Sequence, residues 1–174
     1  MSTAPTLETA SLILRAFAPE DAEAYYSAVL SNPQAVRALP TGRPVPRQRV
    51  DSIIDSINSH WADYGFGLWA VTLEDVLIGH VGLQHLDRKL HIEFTYAFTP
   101  SHTGGPLPIE AGHAALTYGF ETLRMEQILG VVLPENKGVK RVYNRLGMRP
   151  QRRDVHAYDM YLPCYSIRQG DFAY

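Results

Sequence analysis

A glycine-containing loop between a predicted strand and a predicted helix is the part of this 174-residue chain best suited to chemistry. The strand covers residues 90–98, the helix covers 109–123, and Gly104 and Gly105 lie between them. The first turn of a helix carries unpaired N–H groups and a partial positive charge, so it can hold a phosphate group. Glycines let the backbone approach such a ligand closely. The pattern indicates a phosphate site, with a plain turn as the alternative.

The elements that would position this loop follow from hydrophobic periodicity. Strands are predicted over 12–17, 68–72, 76–83, 90–98 and 127–133, with one or two more within 155–167. Helices are predicted over 19–30, 48–64, 109–123 and a short segment ending at 146, and a proline-rich surface loop over 39–46. A hairpin-rich front half followed by strand–loop–helix–strand predicts a mixed α/β (α+β) fold with helices on the faces of the sheet, in one domain over 1–174.

Composition narrows the function classes. Sixteen Lys and Arg against eighteen Asp and Glu leave a formal charge of −2, which removes the usual electrostatic drive for nucleic-acid binding. Cys164 is the only cysteine, so no internal disulfide is possible. The N-terminus lacks the pattern of a secretory signal, and no apolar run reaches the ~18 residues of a membrane span. A cytoplasmic protein without a membrane partner is expected.

Four segments together carry a resemblance to a known superfamily. They are LETASLILR at 7–15 followed by PEDA at 19–22, FGLWAV at 66–71 with IGHVGL at 78–83, EFTYAF at 93–98 followed by Pro100, and PEN at 134–136 leading through Tyr143 to LGM at 146–148. In these segments the chain resembles the GNAT superfamily of acyl-CoA-dependent N-acyltransferases. More narrowly, it resembles the branch that includes the ribosomal-protein N-terminal acetyltransferases.

The resemblance implies a mostly antiparallel central sheet of six to seven strands flanked by helices. The fourth and fifth predicted strands, 90–98 and 127–133, would splay apart, and the pantetheine arm of acetyl-CoA would lie in that gap. Its expected contacts are the fourth-strand residues Tyr96, Ala97 and Phe98, the pyrophosphate-loop residues His102, Thr103, Gly104, Gly105 and Leu107, and Asn136. Homodimers are common in the superfamily.

The implied reaction is direct attack of a primary amine, on a small molecule or a protein N-terminus, on the thioester. An ammonium group cannot attack until a base removes its proton, and Glu93 is the candidate base. Tyr143 falls where many members carry the acid that protonates the departing thiolate. The alternatives are a solvated strand residue for Glu93, a core aromatic for Tyr143, and a plain helix cap for Asn136.

The pyrophosphate loop departs from the family pattern, because Pro106 and Pro108 each delete a backbone N–H. A hydrogen bond to a charged group contributes roughly 1.5–3 kcal/mol. If both missing donors normally face the phosphates, their loss would weaken cofactor binding by about 10²–10⁴-fold. Pre-proline bias also predicts that the helix starts near Pro108. A second hypothesis is therefore a GNAT-fold protein with impaired acetyl-CoA binding that acts as a binding or regulatory module.

Two further groups of residues could bear on the site. Lys137, Lys140 and Arg141 could supply charge at the cofactor end, with an exposed helix face as the alternative. The histidines at 80, 85 and 91 lack partners at metal-ligand spacing, so no metal site is predicted.

Overall fold

One sheet of eight strands forms the centre of the fold within residues 3–86 and 88–174, which the computed structural model describes. Its strands are β1 (Leu7–Glu8), β2 (Ile13–Arg15), β3 (Leu68–Leu73), β4 (Val76–Leu86), β5 (His91–Phe98), β6 (Gln127–Val131), β7 (Arg149–Pro150) and, last in the chain, β10 (Cys164–Arg168), in the order β1-β2-β3-β4-β5-β6-β10-β7. Between β7 and β10, the strands β8 (Val155–Ala157) and β9 (Met160–Leu162) form a separate hairpin.

The mostly antiparallel sheet expected from the sequence is confirmed, with β5–β6 as the parallel pair. The strand count exceeds the expected six to seven because β1 and β7 are two residues each, too short to leave a periodic pattern. The tail, for which one or two strands were predicted, holds three.

Five α-helices flank the sheet in the described part of the chain. They are α1 (Ala22–Tyr25), α2 (Pro33–Val36), α3 (Val50–Tyr64), α4 (Leu107–Thr117) and α5 (Lys137–Arg145). A 3₁₀ turn at Pro19–Asp21 and a π turn at Tyr26–Leu30 extend α1, and a π turn at Tyr118–Thr122 extends α4. The predicted helix 48–64 is confirmed as α3, whose residues Val50, Ile54, Ile57 and Trp61 are buried at helical spacing.

The helix α4 begins one residue before Pro108, close to the start predicted from the sequence. Pro106 adopts a helical backbone with φ −82° and ψ −23°, and its carbonyl accepts the amides of Ile109 and Glu110. The helix therefore begins at Leu107, and Pro108 takes its second position, where a missing N–H removes no intrahelical bond. Both prolines therefore fit the fold.

Alternation along β5 divides the fold into two sides. The ring of Phe94 lies 6.0 Å from the ring of Tyr143 in α5, so the even-numbered side chains of β5 face α4 and α5. The odd-numbered side chains face α1–α3, and Glu93 lies opposite Gln84 of β4 in the antiparallel register. The side chains of Glu93 and Tyr143 thus lie on opposite sides of the sheet.

Gly82 of β4 offers a direct test of this packing. A Cβ built there would lie 2.2 Å from the carbonyl oxygen of Gly67, a backbone atom that cannot swing aside. We expect Gly82→Ala to lower the free energy of unfolding by about 1–3 kcal/mol or more, measured by urea denaturation. Gly170→Ala is the matched control, because its Cβ meets no atom within 4 Å; a change there within about 0.5 kcal/mol is expected. Equal effects of the two substitutions would contradict the packing described.

Candidate active site

The strands β5 and β6 separate after one residue pair. Glu93 pairs with Leu129, and β6 supplies no further partner to β5 among the described residues. The Thr99 amide donates to the Ile78 carbonyl at 2.8 Å, so odd-numbered residues of β5 direct their backbone groups to β4. Tyr96 and Phe98 consequently present their amides and carbonyls to the open gap, whereas Ala97 directs its own to β4. The splay expected of these strands is present.

A groove of about 230 Å³ lies on the α5 side of this gap. We call it the loop groove; it is bounded by Tyr96, the 103–105 loop, Asn136 and Val139, with Arg37 and Arg141 at its edge. In the described part of the chain, no acceptor is bonded to the amides of Thr103, Gly104, Gly105 and Leu107. These four donors remain after Pro106 and Pro108 have removed theirs.

Gly105 and His102 differ from the rest of the loop in backbone conformation or in hydrogen bonding. Gly105 has φ +87°, a backbone that a residue with a side chain adopts only with strain. His102 is tied back to the end of β5, since its amide donates to the Thr99 carbonyl at 2.9 Å and its Nδ1 lies 2.8 Å from Thr99 Oγ1. The His102 amide is therefore engaged, unlike those of the four residues above.

Asn136 has the capping role that was its alternative, and a second contact besides. Its Oδ1 accepts the Val139 amide at 3.1 Å, and its Nδ2 donates to the Arg37 carbonyl at 2.7 Å. It thereby joins α5 to α2 across the loop groove. The helix α2 is absent from the sequence prediction, although Asn32 before Pro33 is a typical helix start that could have indicated it.

The three cations Lys137, Lys140 and Arg141 have different positions relative to the loop groove. Arg141 lines the loop groove. Lys140 is turned away from it, because its Nζ donates to the Pro134 carbonyl. Lys137 lines a neighbouring cavity with Arg37. The pair available at the groove is therefore Arg141 and Arg37, and the sequence pattern does not single out Arg37.

Glu93 is fully buried, which removes the solvated-strand interpretation. Its Oε2 accepts the Tyr158 hydroxyl at 2.5 Å and the Gln84 side-chain amide at 3.0 Å. Its Oε1 is buried and has no hydrogen-bond partner in the described residues. Burial raises the pKa of this carboxyl to about 7, against the lowering effect of the two hydrogen bonds. The group therefore changes protonation near neutral pH.

Tyr158 links Glu93 to a second cavity. It lies in the turn of the β8–β9 hairpin with φ 52°, next to Asp159 with φ 59°, the conformation of a type I′ turn. Because the turn contains no glycine and Tyr158 lies 65 residues from Glu93, no local pattern singles it out. Burial raises the pKa of Tyr158 above its ordinary value, so its hydroxyl keeps its proton at neutral pH.

The second cavity, which we call the inner pocket, has a volume of about 300 Å³ and lies on the α1–α3 side of the sheet. Polar groups at its wall include Tyr25, His80, Gln84, Thr95 and Tyr158. The Tyr25 hydroxyl lies 2.8 Å from His80 Nδ1. Burial lowers the pKa of His80 to about 4, so this imidazole is neutral at pH 7. The inner pocket and the loop groove adjoin across Thr95 and Tyr96.

Tyr143 has a buried aromatic environment and a bonded hydroxyl. It is 2% exposed, and its hydroxyl donates to the carbonyl of Val131, the last residue of β6, at 3.0 Å. Burial raises the pKa of Tyr143 well above its ordinary value, with a smaller contribution from Glu93. The phenol is therefore protonated at neutral pH and lies at the β6 wall of the gap.

Metal sites and membrane-spanning helices each need a recognisable group of residues. No three His, Cys, Asp or Glu side chains among the described residues gather into a group that could hold a metal ion. Likewise, none of the helices described has the length and apolarity needed to cross a membrane.

The family model for the acetyltransferase (GNAT) domain matches residues 11–149 of this chain. The chain belongs to the GNAT acetyltransferase family. Among curated relatives, the uncharacterized N-acetyltransferase YoaA of Bacillus subtilis (strain 168) is 27% identical over 150 residues, covering 84% of either chain.

Solved structures share the fold of this GNAT protein. The acetyltransferase from Agrobacterium tumefaciens str. C58 is 24% identical, with a TM-score of 0.79 over 97% of this chain and 96% of that one. The ribosomal L7/L12 alpha-N-protein acetyltransferase RimL, solved in complex with coenzyme A, is 12% identical, with a TM-score of 0.78 over 94% of this chain and 98% of that one. The resemblance to the GNAT superfamily stated from the sequence is confirmed, and ribosomal-protein acetyltransferases are among the solved structures that share the fold.

The burial of Glu93 in this GNAT protein has a measurable cost at high pH. Its pKa of about 7 exceeds the ordinary 4.5, so its contribution to stability is present below pH 4.5 and lost as the pH rises through 7. The isosteric Glu93→Gln carries no charge. The free energy of unfolding of this variant, relative to that of the wild type, should therefore increase between about pH 4.5 and 7. The increase should reach roughly 3 kcal/mol, at about 1.4 kcal/mol per pKa unit.

Urea denaturation at several pH values measures this difference. The exposed Glu121→Gln is the matched control for removing one carboxylate. A Glu93→Gln difference that stays constant from pH 4.5 to 8 would contradict the burial of a titrating carboxyl.

Proposed function

We propose that this protein transfers the acetyl group of acetyl-CoA to a primary amine, on a small molecule or a protein N-terminus, by direct attack in the gap between β5 and β6. The observation that carries the proposal is the separation of these strands after the Glu93–Leu129 pair. It leaves backbone donors and acceptors of Tyr96 and Phe98 for an extended amide-containing chain, which the pantetheine arm is. The gap has the loop groove on one side and the inner pocket on the other.

The loop groove would hold the anionic end of the cofactor. The free amides of Thr103, Gly104, Gly105 and Leu107 are suited to a diphosphate, and Arg37 and Arg141 add charge at the edge. Arg141 also lines a wider cleft of about 770 Å³ beside α4, together with Gly105 and Pro106. That cleft has room for the nucleotide end.

Glu93 would accept the proton of the attacking amine by way of Tyr158. The ammonium group gives a proton to the Tyr158 hydroxyl while that hydroxyl gives its own to Glu93 Oε2, so the tyrosine stays neutral and Glu93 becomes protonated. The 2.5 Å contact between the two groups and the position of Tyr158 at the wall of the inner pocket support this route. The pKa of Glu93, about 7, matches a base that works near neutral pH.

Tyr143 would protonate the thiolate. The neutral amine attacks the thioester carbon, the C–S bond breaks, and the sulfur takes the proton of the Tyr143 hydroxyl, which the Val131 carbonyl otherwise accepts. The nitrogen loses its second proton as it becomes an amide, and that proton restores the Tyr143 phenol. The raised pKa of this phenol, caused by burial, keeps the proton available until the thiolate forms.

The second candidate function is a binding or regulatory module that no longer takes acetyl-CoA, and the absence of N–H groups at Pro106 and Pro108 is the observation that favours it. Calorimetric titration with acetyl-CoA separates the two functions. The four remaining amides and two arginines lead us to expect binding; no heat at millimolar cofactor would contradict the enzyme.

Restoring one donor tests the account of the loop. The backbone of Pro106 is open to any residue, so Pro106→Ala adds an N–H without changing the turn. We expect acetyl-CoA affinity to rise by about 10-fold or more, the effect of one hydrogen bond to a charged group. Pro44→Ala, in the proline-rich loop, is the control. Unchanged affinity of a folded Pro106→Ala variant would show that position 106 does not face the phosphates.

The proton route is tested by the pH dependence of thiol release. Because the base must be deprotonated, kcat/KM for the wild type should rise with pH through about 7 and level off above it. Glu93→Gln should lose the rise and about 10²–10⁴-fold in rate. Tyr158→Phe should lose a similar factor, whereas Tyr161→Phe, in the same hairpin but 74% exposed, should not. Full activity of Tyr158→Phe would exclude the relay.

A further inference from the structure

We propose that the inner pocket selects a small primary amine whose remaining body is uncharged and largely apolar, of alkyl or arylalkyl type. The inference rests on the proposed function, because it treats the pocket as the acceptor site. It specifies a substrate class that neither the family nor the likeness to ribosomal-protein acetyltransferases determines.

Apolar side chains from several elements line the pocket. Leu30 follows α1, Pro40 and Val45 belong to the proline-rich loop, and Ile53 and Ile57 come from α3. Its volume of about 300 Å³ is at the lower end of the range for small-molecule sites. A small apolar group would fill it and gain from desolvation.

The pocket wall carries no formal charge at neutral pH. Among the described residues that line it there is no Asp, Glu, Lys or Arg. The titratable groups are Tyr25, Tyr158 and His80; burial raises the pKa of both tyrosines and lowers that of His80, so all three are neutral. Glu93 is reached through Tyr158 and can neutralise one ammonium group.

A second charge on the acceptor amine would therefore meet no counter-charge in the wall of the inner pocket. A buried ion without a counter-charge is strongly unfavourable, which argues against polyamines, amino acids and amino sugars with several ammonium groups. A protein N-terminus is disfavoured for a related reason. Its first peptide groups would lie among Leu30, Pro40 and Val45, and buried peptide groups without hydrogen bonds are costly.

Matched pairs of amines test the selection. Hexylamine and 1,6-diaminohexane differ by one ammonium group, and 2-phenylethylamine and phenylalanine differ by one carboxylate. We expect kcat/KM for thiol release from acetyl-CoA to favour the first member of each pair by at least about 100-fold. A preference below about fivefold, or a faster reaction with a peptide bearing an apolar N-terminus, would overturn the inference.

A charge placed in the wall supplies the converse test. Ser56 lines the pocket and is exposed at its α3 edge, so Ser56→Asp adds a carboxylate with little cost to packing. It should shift the ratio of the two rates by at least about 10-fold toward 1,6-diaminohexane. Ser52→Asp, on the same helix but outside the pocket wall, is the control. An unchanged ratio for Ser56→Asp would contradict the assignment of the pocket.

Binding without turnover separates the two proposals. If the amines bind here, hexylamine should shift the NMR signals of His80 and Thr95, and 1,6-diaminohexane should not at the same concentration. Those shifts without thiol release would support the selection of apolar amines by the pocket and contradict acetyl transfer. Thiol release that favours the diamine or the amino acid would support acetyl transfer and contradict the selection. No shift with hexylamine would overturn the inference by itself.

Discussion

The functional geometry depends on two neighbouring strands that pair once and then separate. Buried backbone N–H and C=O groups are costly when they have no partner, so a sheet that opens in its interior needs another group to complete it. Beyond the Glu93–Leu129 pair, β6 supplies no partner to β5 among the described residues, and in the proposed function the pantetheine arm takes this role. On the β6 side, Tyr143 satisfies the Val131 carbonyl, and Gly130 makes room for it, because a Cβ there would lie 2.8 Å from the Tyr143 ring. The β6 side of the gap thus has its Val131 carbonyl bonded to Tyr143, whereas the β5 side has backbone groups without a strand partner.

The two cavities beside the gap differ in charge. The loop groove has free amide donors and arginines at its edge, which suit an anionic ligand, whereas the inner pocket has a neutral wall. Glu93 lies behind that wall, and Tyr158 and Gln84 connect it to the pocket by hydrogen bonds. The same burial that raises the pKa of Glu93 toward neutrality keeps water and other charges away from it. The proposed proton acceptor thus has a pKa near neutrality, at a cost in stability once it is ionised.

Local patterns predicted much of the fold but less of the site. The helix α3 and the strand β5 have clear periodicity, and β6 is an almost unbroken apolar run. The glycine loop and the capping Asn136 are local features that the sequence displays. Tyr158, Arg37 and the Tyr25–His80 pair contact residues 55 to 99 positions away, and no periodicity encodes such contacts. Glu93 alternates with apolar residues as an exposed strand residue would. Its burial comes from the β8–β9 hairpin, whose turn carries none of the usual turn residues apart from Asp159.

Amide hydrogen exchange at β5, resolved by NMR with and without saturating acetyl-CoA, tests the central claim most directly. If the pantetheine arm completes the sheet, exchange of the Tyr96 and Phe98 amides should slow in the presence of the cofactor, because their hydrogens become bonded. The Ala97 amide, which already faces β4, should change far less. Binding of acetyl-CoA that leaves the exchange of Tyr96 and Phe98 unchanged would contradict the account.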